Sequence, residues 1–188
     1  MTPAPRVLVT DAGRGSAISI IRSLGRRGMR VVAADADPRS PGFRSRYASE
    51  RLLYPSPSEA PERTVASLLQ AVQERGIDLV IPVTDDVILP LSAARDRFAG
   101  LTKLAIADPS ALAVTTNKLA TLELADRLGV PRPKTVLVAT AVEARERGPE
   151  LGWPLVLKPQ ASRVYDDGGV AAFEVGYAAG PEDLTLRM

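Results

Sequence analysis

Neither a histidine nor a cysteine occurs among the 188 residues. The commonest general base, the commonest metal ligand and the thiol nucleophile are therefore excluded, and with them disulfides and thiolate metal sites. Any chemistry must fall to carboxylates, lysines, hydroxyls, backbone amides or a bound ion. Three groups of residues have types and spacing suited to it. Gly13, Arg14, Gly15 and Ser16 follow a short apolar run, Arg6 to Thr10, and open a helical segment. Thr84, Asp85 and Asp86 follow a second apolar run, Asp78 to Val83. Two lysines complete the set: Lys118 at the head of a helical segment, and Lys158 between the apolar Leu155-Val156-Leu157 and Pro159. A lysine closing a buried strand is an odd choice for an incidental solvated cation.

Each rim group admits two readings. Gly13-Arg14-Gly15 after a strand matches the first half of the dinucleotide fingerprint, and Asp35, at the end of the next strand, stands where an acid would hold a ribose. The third glycine of the fingerprint falls on Ile18, whose bulk obstructs close helix–strand packing. The stretch also resembles the opening of short-chain dehydrogenases, which need a Tyr-x-x-x-Lys pair. Four places after Tyr47, Tyr54, Tyr165 and Tyr177 stand Arg51, Ser58, Gly169 and Pro181, so that pair is absent. Two alternatives stay open: an NAD(P)-binding Rossmann protein, or a tight turn needing unhindered backbone, with a helix N-terminus behind it able to hold an anion. In the second group, Asp86 suits a helix cap and Asp85 suits an amine or hydroxyl of a substrate. Asp35 and Asp37 suit turn and cap roles, and Arg44 and Arg46 suit a solvated loop.

The elements that must position these groups alternate. Strand signals at 6–10, 30–35, 51–54, 78–83 and 103–107 are separated by helical spacing at 16–27, 62–75 and 86–98, with Gly28 and Gly76 as stops. That order implies an α/β domain, a Rossmann-like parallel sheet with helices on both faces. Ligands on such sheets bind beyond the carboxyl ends of the strands, which places 11–16, 35–37 and 84–86 on one rim. From Asp108 the pattern changes. A short helix, a helix over 116–128 stopped by Gly129, a stiff Val130-Pro-Arg-Pro133 connector, a strand over 134–138, a helix over 141–151 and a strand over 154–158 are expected. A polar loop over 159–169 with Asp166-Asp-Gly-Gly169 fits a hairpin turn, then come a strand over 170–176 and a helix from Pro181. This second sheet is incomplete, as expected for the front portion of something larger.

Composition narrows the class. Hydrophobic residues make up 45% of the chain, enough to fill a core, so wholesale disorder is excluded. The net charge is +2, and the arginines lack a concentrated stripe with interleaved aromatics, so no nucleic-acid partner is expected. The N-terminus lacks a signal core and no run approaches membrane-spanning length, so a cytoplasmic protein without a membrane partner is expected.

The segment Asn117-Lys-Leu-Ala-Thr-Leu-Glu-Leu-Ala-Asp-Arg-Leu-Gly-Val-Pro-Arg-Pro-Lys-Thr135 resembles the opening of the ATP-binding region of ATP-grasp enzymes. There the pattern is an acid and a lysine, a helix, then Gly-Val/Ile-Pro-x-Pro-x-Thr. Downstream, Leu151-Gly-Trp-Pro-Leu-Val-Leu-Lys-Pro159 resembles that family's Gly-aromatic-Pro-apolar-Lys-Pro strand. The resemblance covers essentially the whole chain. It implies a pre-ATP-grasp Rossmann-like domain (1–112), a helical linker (113–133) and an incomplete α+β ATP-grasp subdomain (134–188). It further implies that Lys118 and Lys158 bind ATP phosphates, as compact charges on separate elements. Gly13, Arg14, Gly15, Ser16, Thr84 and Asp85 would help bind substrate. The implied reaction activates a carboxylate as an acyl phosphate with ATP and joins it to an amine. The partners are then ATP and a small carboxylate or amine, with a homodimer allowed. Magnesium is the implied cofactor, its Glu and Asn ligands expected outside this segment, so no metal ligand and no catalytic residue is assigned here and the segment alone is expected to be inactive. Asn117 departs from the family pattern, where an acid is usual, and Asp166 and Asp167 are misplaced for a phosphate flap. A non-catalytic interaction module remains the other alternative.

Overall fold

The computed structural model describes residues 3–160, 163–166, 169–172 and 175–186. The chain divides into two compact units, Met1–Asp108 and Pro109–Met188.

The first unit contains strands β1 (Arg6–Val9), β2 (Arg30–Asp35), β3 (Glu50–Leu53), β4 (Leu79–Ile81) and β5 (Lys103–Leu104) in one sheet of order β3-β2-β1-β4-β5. Every pairing is parallel. Helices α1 (Gly15–Arg26), α2 (Pro61–Arg75) and α3 (Asp85–Ala93) connect the strands. Strand alternation explains why both faces are covered. Val7 and Val9 of β1, with Val31 and Ala33 of β2, pack against Ala17 and Ile21 of α1 and against Phe43. Leu8, Val32, Ala34 and Val80 point the other way, against Val65, Leu68 and Val72 of α2 and Val87 and Leu91 of α3. The α/β Rossmann-like fold expected from the alternating pattern is the fold observed. The helix expected over 86–98 differs: α3 ends at Ala93, and a 3-10 turn over Arg95–Phe98 follows, which buries Phe98.

The second unit is thinner. It holds α4 (Pro109–Thr115), α5 (Lys118–Arg127), α6 (Ala141–Arg147), β6 (Leu155–Leu157), β7 (Arg163–Asp166), β8 (Gly169–Ala172), β9 (Gly176–Ala178) and α7 (Pro181–Leu186). Strands β6 and β9 pair antiparallel, and β7 and β8 form a separate hairpin. The expected strand over 134–138 does not form. Two prolines just upstream, Pro131 and Pro133, carry no N–H to donate to a ladder, and 134–138 pairs with no strand among the described residues. The polar loop expected over 159–169 instead contains β7, and the strand expected over 170–176 is the separate pair β8 and β9. Register pairs Asp166 with Gly169; the turn assignment of Asp167 and Gly168 lies outside the described residues. One face of the β6–β9 pair is packed: Leu155 and Ala178 meet Ala144 of α6 and Leu184 of α7. Among the described residues, no helix is long and apolar enough to cross a membrane.

One packing contact behind the turn after β1 admits only glycine. A Cβ on Gly42 would lie 2.3 Å from the Ala12 carbonyl oxygen, which accepts a hydrogen bond from the Gly42 N–H at 3.0 Å. The segment Pro41–Arg44 thereby braces the turn after β1 from behind. Overpacking of this kind costs about 1–3 kcal/mol. Gly42→Ala should therefore lower the unfolding free energy by about 1–3 kcal/mol in urea titrations, whereas Gly15→Ala, with open space around its Cβ position, should change it by well under 1 kcal/mol.

Candidate functional site

The sheet order reverses between β1 and β4, the place where doubly wound sheets bind ligands. The loops after β1 and β4 meet there through Asp11. Asp11 adopts φ +55°, a left-handed conformation that aspartate tolerates better than most residues. Its carboxylate accepts from the Val83 N–H (3.3 Å), the Thr84 N–H (3.2 Å) and the Thr84 hydroxyl (3.0 Å). It also accepts from the Thr10 hydroxyl (2.6 Å) and the Tyr54 hydroxyl (3.3 Å), and the Asp11 N–H donates to Tyr54 Oη (3.0 Å). Tyr54 is buried. Burial, and then the Asp11 charge beside it, push the phenol well above its ordinary pKa.

Around this clamp the other rim residues fall into place. Thr84 is the N-cap of α3, but its hydroxyl serves Asp11 rather than the helix. Asp85 and Asp86 sit in the first helical turn, so the cap position expected for Asp86 belongs to Thr84. Two acids there favour the helix dipole. Gly13 donates its N–H to Asp35 Oδ2 at 2.6 Å, and Asp35 Oδ1 accepts from the Asp37 N–H at 3.0 Å. The Asp35 carboxylate is therefore spent on the turn. Arg14 and Ser16 are exposed, at the N-cap and second residue of α1, and Gly15 meets nothing within 4 Å.

The two lysines lie in the second unit. Lys118 is the first residue of α5 and partly buried; Lys158 follows β6 and is exposed. Their segments meet: the Lys118 N–H donates to the Gln160 carbonyl at 2.9 Å. Asn117 Oδ1 caps α5, accepting from the N–H groups of Leu119 (3.0 Å) and Ala120 (3.2 Å), and the Gln160 amide reaches it at 3.4 Å. An amide oxygen caps a helix as well as a carboxylate does, so asparagine in the acid's place leaves the helix start intact. The outer face of β6–β9 is open. Val156 and Tyr177 are directly paired there, 50% and 64% exposed, and strand alternation puts Lys158 on the Val156 side. Beyond α5, Gly129 (φ +67°) ends the helix. Arg132 then grips Asp126 with two parallel bonds, 2.7 and 2.6 Å, fixing the proline connector and holding the Asp126 carboxyl below its ordinary pKa. A hollow of about 440 Å³ beside that connector, lined by Asp126, Pro131, Arg132, Lys134 and Leu151 among others, includes neither lysine of the pair.

The expected site residues thus form two clusters, one in each unit. Gly13, Arg14, Gly15, Ser16, Thr84 and Asp85 share the rim of the first, and Lys118 and Lys158 flank Gln160 in the second. Asp11 and Tyr54 were not singled out by the sequence reading. The signal available for Asp11 was its place at the carboxyl end of β1, and nothing local marked Tyr54.

No family model and no curated protein matches this sequence. Solved structures do. The biotin carboxylase domain of a single-chain bacterial carboxylase is 26% identical over 84% of this chain and 37% of its own, with a TM-score of 0.59. The biotin carboxylase domain dimer of Hydrogenobacter thermophilus 2-oxoglutarate carboxylase, in complex with MgADP, ADP and bicarbonate, is 19% identical over 99% of this chain and 40% of its own, with a TM-score of 0.66. The L-amino acid ligase from Bacillus licheniformis is 16% identical over 99% and 42%, also at 0.66. The chain spans about two fifths of the length of these structures.

The Tyr54–Asp11 pair gives a pH dependence whose sign follows from the raised phenol pKa. The folded state holds the proton that the unfolded chain releases near pH ~10. This contribution to stability is full below about pH 10 and is lost as the pH rises through the folded-state pKa. Urea midpoints should fall more steeply above pH 10 for the native chain than for Tyr54→Phe; equal slopes would contradict the assignment.

Proposed function

Because the chain has the fold of the N-terminal portion of ATP-grasp enzymes, we propose that it forms the front of an ATP-dependent ligase that activates a carboxylate as an acyl phosphate and joins it to an amine. The observation that carries this reading is the Lys118–Gln160 backbone bond, which draws the start of α5 against the strand end bearing Lys158. Two ammonium groups on separate elements then serve one polyanion. The amides of residues 118–120 are already taken by Gln160 and Asn117, so contact with phosphate falls to the lysine side chains. The open Val156–Tyr177 face beside Lys158 offers an apolar surface for the base of the nucleotide.

In this reading the lysines neutralise charge and orient the phosphates, and the reaction needs no histidine or cysteine, since phosphoryl transfer rests on positioning and electrostatics. The rim loops held by Asp11 would place the second substrate, with Asp85 and the turn Gly13–Ser16 nearest to it. On this reading the chain alone binds MgATP weakly and turns over no substrate. No magnesium ligand is assigned to it.

Calorimetric titration with MgATP tests the reading. Millimolar or weaker binding is expected, reduced about tenfold or more by Lys158→Ala and by Lys118→Ala, with no competition from NADH. Binding indifferent to both substitutions would overturn the lysine assignment. An NADH fluorescence change that ATP does not reverse would favour the dinucleotide reading instead.

A further inference from the structure

We propose that Arg26, Arg46 and Tyr47 form a binding site for the dianionic phosphate of a small phosphomonoester. Tyr47 lies between two guanidinium groups. Arg46 stacks over its ring at 4.8 Å from the centroid and Arg26 at 5.8 Å, and Arg46 Nη2 donates to Tyr47 Oη at 2.7 Å. Because the phenol oxygen is the acceptor in that bond, its own O–H proton is directed elsewhere. The place is therefore rich in donors, two guanidinium forks and one hydroxyl, with Tyr47 Oη the acceptor among them. The ligand that satisfies such a set is rich in acceptor oxygens and negative in charge.

The surrounding charge points the same way. Among the described residues no carboxylate lies within salt-bridge distance of Arg26 or Arg46. The nearest acid in sequence, Glu50, is already shared by Arg6, Arg30 and Arg75. Arg22, one turn before Arg26 on α1, and Arg44, two residues before Arg46, add exposed positive charge. Two like charges drawn onto one phenol repel each other, and a dianion relieves that repulsion. Both arginines also hold the phenol below its ordinary pKa.

The cradle is built into the fold rather than draped on it. A Cβ on Gly25 would stand 2.6 Å from the Tyr47 Cβ, so glycine inside α1 is what lets the ring seat against the helix. The Tyr47 N–H and the Ala48 N–H both turn back onto Ser45, fixing the chain on either side. The ring in turn holds the guanidinium groups in place, which lowers the cost of ordering them for a ligand. Helix α1 starts at the rim and runs its twelve residues, about 18 Å, to Arg26. The site is therefore at the opposite end of the sheet from the rim and independent of the nucleotide reading.

Calorimetry and amide NMR with glycerol phosphate and with inorganic phosphate at pH 8 test it, against chloride at matched ionic strength. Expected is saturable binding that shifts the Tyr47 amide, weakened at least tenfold by Arg26→Gln with Arg46→Gln and a few-fold by Tyr47→Phe. The proposal fails if chloride gives the same shifts, or if the doubly substituted chain, folded by circular dichroism, binds as tightly. It also fails if a short single-stranded oligonucleotide binds while glycerol phosphate does not, which would assign the patch to nucleic acid.

Discussion

The first unit depends on one carboxylate. Asp11 takes hydrogen bonds from two side-chain hydroxyls of its own neighbourhood, from two backbone amides after β4 and from Tyr54. Its left-handed backbone costs about 1–3 kcal/mol. Charge-assisted bonds from the Val83 and Thr84 amides and the neighbouring hydroxyls offset this. The position is what gives the clamp its reach: the sheet order reverses there, so β1 and β4 are neighbours whose following loops diverge to opposite faces. Without a tie the two loops would be free to part. With it, the turn over Gly13–Ser16 and the start of α3 are held in one geometry.

A second carboxylate extends the same logic. Asp35 seats the Gly13 amide and its own turn, and Gly42 closes on Ala12 from below. The glycine turn is thus braced from behind by Asp35 and Gly42, while Gly15 faces open space. The feature that looks most like a cofactor cradle in the sequence is, in the fold, a braced wall of the rim.

The second unit solves a different problem. Among the described residues its buried apolar side chains are few: Ala144, Leu155, Ala178 and Leu184. Stability therefore leans on local devices. Asn117 caps α5, Gly129 stops it, Arg132 ties the proline connector to Asp126, and Thr140 caps α6. The two side-chain caps are each worth on the order of 1 kcal/mol. The Lys118–Gln160 bond, a backbone contact, sets the lysine segments together independently of either side chain.

The sequence by itself determined the alternation of strands and helices in the first unit, the parallel sheet and the membership of its rim, because apolar period and glycine stops are local properties read over a few residues. It also marked Lys118 and Lys158, since each sits beside a recognisable helix start or strand end. It misplaced a strand at 134–138, where apolar residues outweighed the prolines before them, and it put Asp86 at a helix N-cap position that Thr84 occupies without a side-chain cap bond. Only the tertiary structure decided what Asp11, Tyr54 and Asp35 do. Tyr54 is 43 residues from Asp11 and Thr84 is 73 away, and no period or propensity relates such positions. Their pairing follows from strand order, which is fixed by which faces of the sheet bury together, a property of the whole chain and not of any stretch of it.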